Sequence, residues 1–369
     1  MSQVPDNPIA AVTHVNPYAY YADLAMRAPL AYDSQLSLWV AASAEAVTAM
    51  LTSPLCRVRP PAEPVPRPLL GSSAAEIFRR LVRMNDGPSH QALRPAAASL
   101  LEPLDESRVT AASREWARRL TAEIAPAASP RQITDLTFRL PVYVMGDLLG
   151  VSGEQLPALA RWTGDFVAAI APGSLAAQVD AGKDAAEHLL GLFRSLYPGS
   201  DDELIANRIG FLVQAHDATA GLIGNALLAL AARPEIRRQA SDDPGLLRPF
   251  LLEVLRFDPS IQNTRRFVAE DGLVAGASLR AGDAVLVLLA AANRDPAANP
   301  DPDRFDPFRE DRRLFTFGLG PHACLGETLA VAIAQAGIES LLKSGLDLEN
   351  LAGSFTYRPS VNARIPLFG

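Results

Sequence analysis

From Asp202 to about Ala232 the chain reads as one helix of about thirty residues, and its middle, Gln214 to Gly224, is apolar with only isolated polar residues. Ser200-Asp201-Asp202-Glu203 predicts a capping box at its start, and Arg233-Pro234 marks its end. A helix this long and apolar on most faces cannot lie on a surface. It belongs at the centre of the molecule, with other elements packed round it.

The rest of the sequence supplies those elements. The chain has 369 residues, 49% hydrophobic and 20% charged, which suffices for one large domain or two ordinary ones. Residues 17–50 read as helix, strand, helix, with the strand at Leu36–Ala42 and Ser43 capping the second helix to Leu51. Arg57–Leu70 is proline-rich and reads as irregular loop. Helices then dominate to about residue 258, among them Ser107–Ile124, Leu156–Ile170 and Leu175–Leu196. Val268–Ala277 and Asp283–Ala290 read as short strands, Asn293–Asp311 as coil, and Leu325–Lys343 as a last helix. No linker divides the chain. The expectation is a single domain over 1–369, mainly α, with small β-sheets.

Charge and cysteine content narrow the function. The net charge is −7 and no long basic stripe appears, which argues against nucleic acid as a partner. Two cysteines, Cys56 and Cys324, are too few for a disulfide framework and fit a reducing compartment. The opening residues carry no apolar core of a signal peptide. The longest unbroken apolar run, Ala284–Ala292, falls far short of the roughly 20 residues of a membrane span. The expectation is a soluble, cytoplasmic protein with no membrane partner.

The most informative segment is 317–326, Phe317-Gly318-Leu319-Gly320-Pro321-His322-Ala323-Cys324-Leu325-Gly326. Its glycines permit a tight turn and close approach of the backbone to a ligand. Cys324 stands just before an apolar helix, where backbone N–H groups favour a thiolate. An isolated cysteine would read as a small buried hydrophobe, and Cys56 is read that way. The spacing F-G-x-G-x-H-x-C-x-G resembles the haem-binding signature of the cytochrome P450 superfamily at every fixed position. The resemblance implies a P450 fold, a helical bundle around a buried haem b, with the Cys324 thiolate on the iron and Phe317, Gly318 and Gly326 shaping the loop.

Other segments are similar to further P450 motifs. Glu253-Val254-Leu255-Arg256 matches E-x-x-R, one helical turn apart; in the family this pair locks the core behind the haem with an arginine from the coil, and Arg304 stands where that partner is expected. His90 and Arg94 match H-x-x-x-R and share one helix face. Arg266 and His322 match further propionate-binding positions. The resemblance implies that His90, Arg94, Arg266 and His322 hold the haem propionates through charge-assisted hydrogen bonds. Asn293-Arg294-Asp295-Pro296 is similar to a structural turn of the family.

The chain also departs from the pattern. Gln214-Ala215-His216-Asp217-Ala218-Thr219 resembles the family's A-G-x-[DE]-T-T. Asp217 takes the acidic position, Ala218 replaces the usual threonine, and Thr219 comes one residue later. One residue along a helix is a turn of about 100°, so Thr219 substitutes only if the helix is distorted there, as beside a π-bulge. Three readings stay open: a substrate hydroxyl or ordered water completes the proton relay, the reaction has different proton needs, or Thr219 is repositioned. The segment Ala171–Asp202 is short for the substrate-covering helices, which predicts a reduced lid open to a bulky substrate, including one carried on another protein.

The resemblance implies a monooxygenase of a small organic molecule in secondary metabolism. No flavin- or nicotinamide-binding fingerprint appears in the chain, so electrons from NAD(P)H are expected through a separate ferredoxin or flavodoxin with its reductase. Docking is expected on the cysteine-loop face, near Arg94 and the arginines at 309–313. The alternatives are a peroxide-using or non-hydroxylating P450 linked to Ala218, and a haem-binding protein without turnover.

Overall fold

The computed structural model describes residues 4–124 and 129–369; Met1–Gln3, the first residues read above for a leader, lie outside them. The helices are α1 (Tyr18–Arg27), α2 (Ala44–Thr52), α3 (Ser73–Arg80), α4 (Gly87–Ser99), α5 (Glu106–Ile124), α6 (Pro130–Leu148), α7 (Leu156–Ile170), α8 (Ala176–Leu196), α9 (Asp202–Ala231), α10 (Pro234–Asp242), α11 (Leu247–Phe257), α12 (Leu289–Asn293), α13 (Glu327–Lys343) and α14 (Leu348–Gly353). The strands are β1 (Leu30–Asp33), β2 (Leu38–Ala41), β3 (Cys56–Arg57), β4 (Thr264–Val268), β5 (Gly272–Val274), β6 (Ala277–Leu279), β7 (Ala284–Val287), β8 (Phe355–Tyr357) and β9 (Pro366–Phe368).

The expected central helix is α9. It packs against α6, α13, α3, α8, α11, α7 and α4, and from Ile205 to Leu227 nearly every side chain is buried. Its start differs from the expected capping box: Asp201 is the N-cap and its side chain makes no cap bond. Ser200 Oγ accepts instead from Arg208 Nη1 at 3.2 Å, and Asp202 pairs with Arg194. Those contacts occupy the two side chains instead. α9 is α-helical from end to end with no π turn, so the distortion that would bring Thr219 into register is absent.

Strand boundaries needed tertiary pairing to define them. β1 and β2 form a hairpin, β2 runs parallel to β7, and β7 and β3 flank β4, giving the order β1-β2-β7-β4-β3. The stretch expected as one strand over Val268–Ala277 divides. Its first residue ends β4, and Gly276 at φ 78° turns β5 into β6. The apolar run after Asp283 divides too, into β7 and α12, because an apolar run carries no period. Ser43 caps α2 as expected, accepting from the Ala46 amide at 3.1 Å. α13 begins at Glu327, two residues after the expected Leu325.

α7 and α8 form a long antiparallel hairpin joined by residues 171–175. No helix among the described residues is long and apolar enough to cross a membrane.

Candidate haem-thiolate site

The wall behind Cys324 is built first by the Glu253–Arg256 pair. Both side chains are 0% exposed, and Arg256 Nη2 donates to Glu253 Oε1 at 2.7 Å. A buried ion pair persists only when its remaining donors and acceptors are filled. Here Arg256 donates to the carbonyls of Pro302 (2.8 Å) and Arg304 (3.0 Å), and Glu253 accepts from the Asp306 amide at 2.9 Å. The third charged partner is Arg312, whose Nε donates to Glu253 Oε2 at 3.0 Å. This corrects the expectation for Arg304. Only the Arg304 carbonyl joins the network, while its exposed side chain pairs with Asp306 at 3.1 Å. The coil reaches eight residues further than spacing suggested before an arginine turns inward. Arg309 and Arg312 are thereby largely buried, so the expected docking cluster at 309–313 does not form as a set of exposed charges.

Asn293 ties this coil to the cysteine loop. Its Oδ1 accepts from the Phe315 amide at 2.7 Å and its Nδ2 donates to Thr316 Oγ1 at 2.8 Å. The loop then turns on Gly318 (φ 68°) and Gly320 (φ 67°), conformations that favour glycine. The Cys324 amide donates to the Phe317 carbonyl at 2.8 Å, which brings the loop back on itself. The Gly326 amide donates to Cys324 Sγ at 3.3 Å. Burial pushes the Cys324 thiol pKa up, and that Gly326 amide opposes the shift. Cys324 is nonetheless exposed.

The opposite wall belongs to α9. Between Ile205 and Leu227, Gln214 alone is exposed, and Ala215 and Ala218 are half-buried. Gln214 and Ala218 are four residues apart and share a face. That face is the least covered side of this stretch of α9. Thr219 points elsewhere: it is 1% exposed and its hydroxyl makes no hydrogen bond. Asp217 is held by Arg358, through Nη1–Oδ1 at 3.1 Å and a second contact between Nη2 and Oδ2, and by His216 Nδ1 at 2.8 Å. Burial raises its carboxyl pKa, but His216 and Arg358 outweigh that and bring it to about 2.

α4 closes one edge. The His90 and His322 rings lie against each other, tilted by 43° with centroids 4.2 Å apart. His322 Nε2 lies 3.2 Å from Asp86 Oδ1, and Arg94 Nη2 donates to the Ala323 carbonyl at 2.8 Å. His90 Nε2 is buried without a partner. Burial, then the neighbouring His322 and Arg94, pushes His90 down toward the neutral form. Arg266 on β4 is buried, spends one N–H on the Arg265 carbonyl, and has its pKa lowered by burial. Orphaned or underused donors on His90 and Arg266, an exposed cysteine and an apolar helix face fit a haem. Asp86 and Arg358 escaped the sequence reading, and Arg312 entered it only as a docking charge, because each partner lies 59 to 236 residues away.

Comparison with known proteins agrees with this geometry. The family model Cytochrome P450 matches residues 245–344, the stretch from α11 through α13. The Vitamin D(3) 25-hydroxylase of Pseudonocardia autotrophica is 31% identical, over 76% of this chain and 74% of that protein. The Biotin biosynthesis cytochrome P450 of Bacillus subtilis (strain 168) is 26% identical over 93% of both. Among solved structures, P450BioI in complex with hexadec-9Z-enoic acid ligated Acyl Carrier Protein superposes with a TM-score of 0.82 at 26% identity, covering 96% of this chain and 99% of that one. The chain is a member of the cytochrome P450 family and, as such, a haem-dependent monooxygenase.

Proposed function

We propose that the chain oxidises a small organic molecule of secondary metabolism under α9, and that Cys324 would hold the haem as a thiolate. The observation that carries this is the exposed Cys324 in a loop fixed by Phe317, Gly318 and Gly326. Haem held by a thiolate supplies oxygen activation, because the sulfur pushes electron density toward the metal. The protein does the rest. The Gly326 N–H steadies the charge on sulfur. His90, Arg94, Arg266 and His322 would hold the propionates. The face carrying Ala215 and Ala218 positions the substrate, and Asp217 with ordered water moves protons. Ala218 offers no hydroxyl, so a water or a substrate hydroxyl completes the relay. Electrons come from NAD(P)H through a separate ferredoxin or flavodoxin and its reductase.

The test is the ferrous–carbon monoxide difference spectrum. A strongly red-shifted Soret band, abolished in Cys324→Ala, is expected. A band typical of histidine- or thiol-ligated haem would overturn the assignment of Cys324.

A second reading concerns how the substrate arrives. The short 171–175 connection between α7 and α8, with Leu175 exposed at its end, and the likeness to a P450 solved with an acylated carrier protein support a carrier-borne substrate. Turnover of a carrier-bound acyl chain in preference to the free acid is the expected result under this reading.

A further inference from the structure

At the C-terminal end of α9 a groove opens between α1, the ends of α9, α11 and α14, and β8. Its volume is about 970 Å³. Tyr18, Phe257, Phe305, Phe355 and Tyr357, all half-buried, give it aromatic walls. The groove is separate from the Cys324 site. Asn225, the lining residue of α9 closest along the helix to Ala218, comes seven residues after it, about 10 Å along the axis.

Three carboxylates and three guanidiniums line the groove. All three carboxylates are already paired. Asp258 holds Arg364 at 2.8 Å and also accepts from the Tyr18 hydroxyl. Asp303 holds Arg294 at 2.5 Å, and Glu349 holds Arg237, just outside the groove, at 2.7 Å. Arg233 is the guanidinium left over: no carboxylate pairs with it among the described residues. Its side chain is half-buried and held in place. The guanidinium lies over the Phe305 ring, 3.9 Å from the centroid, with Phe257 at 5.3 Å, and Nη1 donates to the Ala229 carbonyl at 3.2 Å. Nε and Nη2 make no hydrogen bond, and neither is sealed from the surface. Those two nitrogens form the edge that receives a carboxylate side-on through two parallel bonds. Arg256 uses the same edge on Glu253, with Nε at 3.1 Å and Nη2 at 2.7 Å.

We infer that this groove is a second ligand site and that its ligand is a small aromatic carboxylate. The carboxylate meets the Nε–Nη2 edge of Arg233, and the ring packs among the aromatic walls, edge-on or offset. The charges choose between classes of ligand. A cation finds no unpaired carboxylate here, and a neutral ring leaves Arg233 without a counter-charge. This ligand is distinct from the molecule oxidised under α9, and its binding does not depend on the haem-thiolate reading.

The test is calorimetry on the haem-loaded protein with 4-phenylimidazole added, so that the oxidation site is filled. The probes are 2-naphthoate and the neutral 2-naphthalenemethanol. The carboxylate should bind at least about tenfold more tightly than the alcohol, the worth of one charge-assisted contact. In Arg233→Met, which keeps an apolar stem against the rings, the ratio should fall to about one, and Arg233→Lys should keep part of it. Ala22→Trp places a ring in the groove from the exposed side of α1 and should abolish binding of both probes, whether or not Arg233→Met folds. The inference is overturned by an absence of heat with 2-naphthoate, by a ratio of one in the unaltered protein, or by full binding in Ala22→Trp. A ratio unchanged in Arg233→Met, with a lowered melting temperature, overturns it too and leaves Arg233 as a brace of the helix end alone. So does displacement of 4-phenylimidazole by 2-naphthoate, seen as a shift of the Soret band, which would place the binding at the iron. Should 4-phenylimidazole leave no spectral mark, the haem-thiolate reading fails while the calorimetric ratio still decides this one.

Discussion

Asp217 and Arg358 meet across 141 residues, the aspartate on the central helix and the arginine just after β8, and the guanidinium spans both carboxylate oxygens. The acid on α9 is thus tied to the C-terminal hairpin. A proton relay through Asp217 has to loosen that tie.

The pair sets an acid limit on stability. The Asp217 pKa is about 2 against an ordinary 3.8, so its stabilisation, about 2 kcal/mol by linkage, is present above the ordinary value and fades as pH falls through about 2. Arg358→Ala should lower the urea midpoint at neutral pH and leave a smaller further loss on acidification toward pH 2. Equal acid sensitivity in both proteins would show that the pair carries none of it.

Arg312 and Arg304 should behave oppositely. Arg312→Ala removes a charged donor from the fully buried Glu253 and should cost about 1.5–3 kcal/mol. Arg304→Ala leaves the carbonyl that Arg256 uses and should stay within about 0.5 kcal/mol. Guanidinium unfolding of the two variants decides between them.

Restoring a hydroxyl at Ala218 should change coupling. Ala218→Thr is expected to raise product and lower hydrogen peroxide per NAD(P)H consumed, and Asp217→Asn to slow oxygen consumption. An unchanged peroxide yield in Ala218→Thr would show that this site does not depend on a side-chain hydroxyl there.

The lid hairpin should be sensitive to one methyl group. A Cβ on Gly182 of α8 would lie 2.1 Å from Ala169 Cβ and 3.0 Å from the Asp165 carbonyl of α7. Backbone cannot swing aside as a side-chain tip can. Gly182→Ala should cost about 1–3 kcal/mol and lower the melting temperature. An unaltered melting curve would mean that the two helices separate freely.

Local pattern carried most of what could be read from the sequence. The period and length of 202–232 announced α9, and the fixed spacing of 317–326 announced the cysteine loop, because both signals are contiguous. Pairings made by tertiary contact were not legible. Nothing near Glu253 distinguishes Arg304 from Arg312; only the path of the coil does. Strand ends failed for the same reason, since β7 becomes a strand by lying between β2 and β4.

The network behind Cys324 is closed by protein groups: Glu253, Arg256, Arg312, Asn293 and the carbonyls of Pro302 and Arg304 satisfy one another. The sulfur is thus aligned from a distance: a change at Glu253 or Asn293 displaces the loop that carries it without altering a single loop residue.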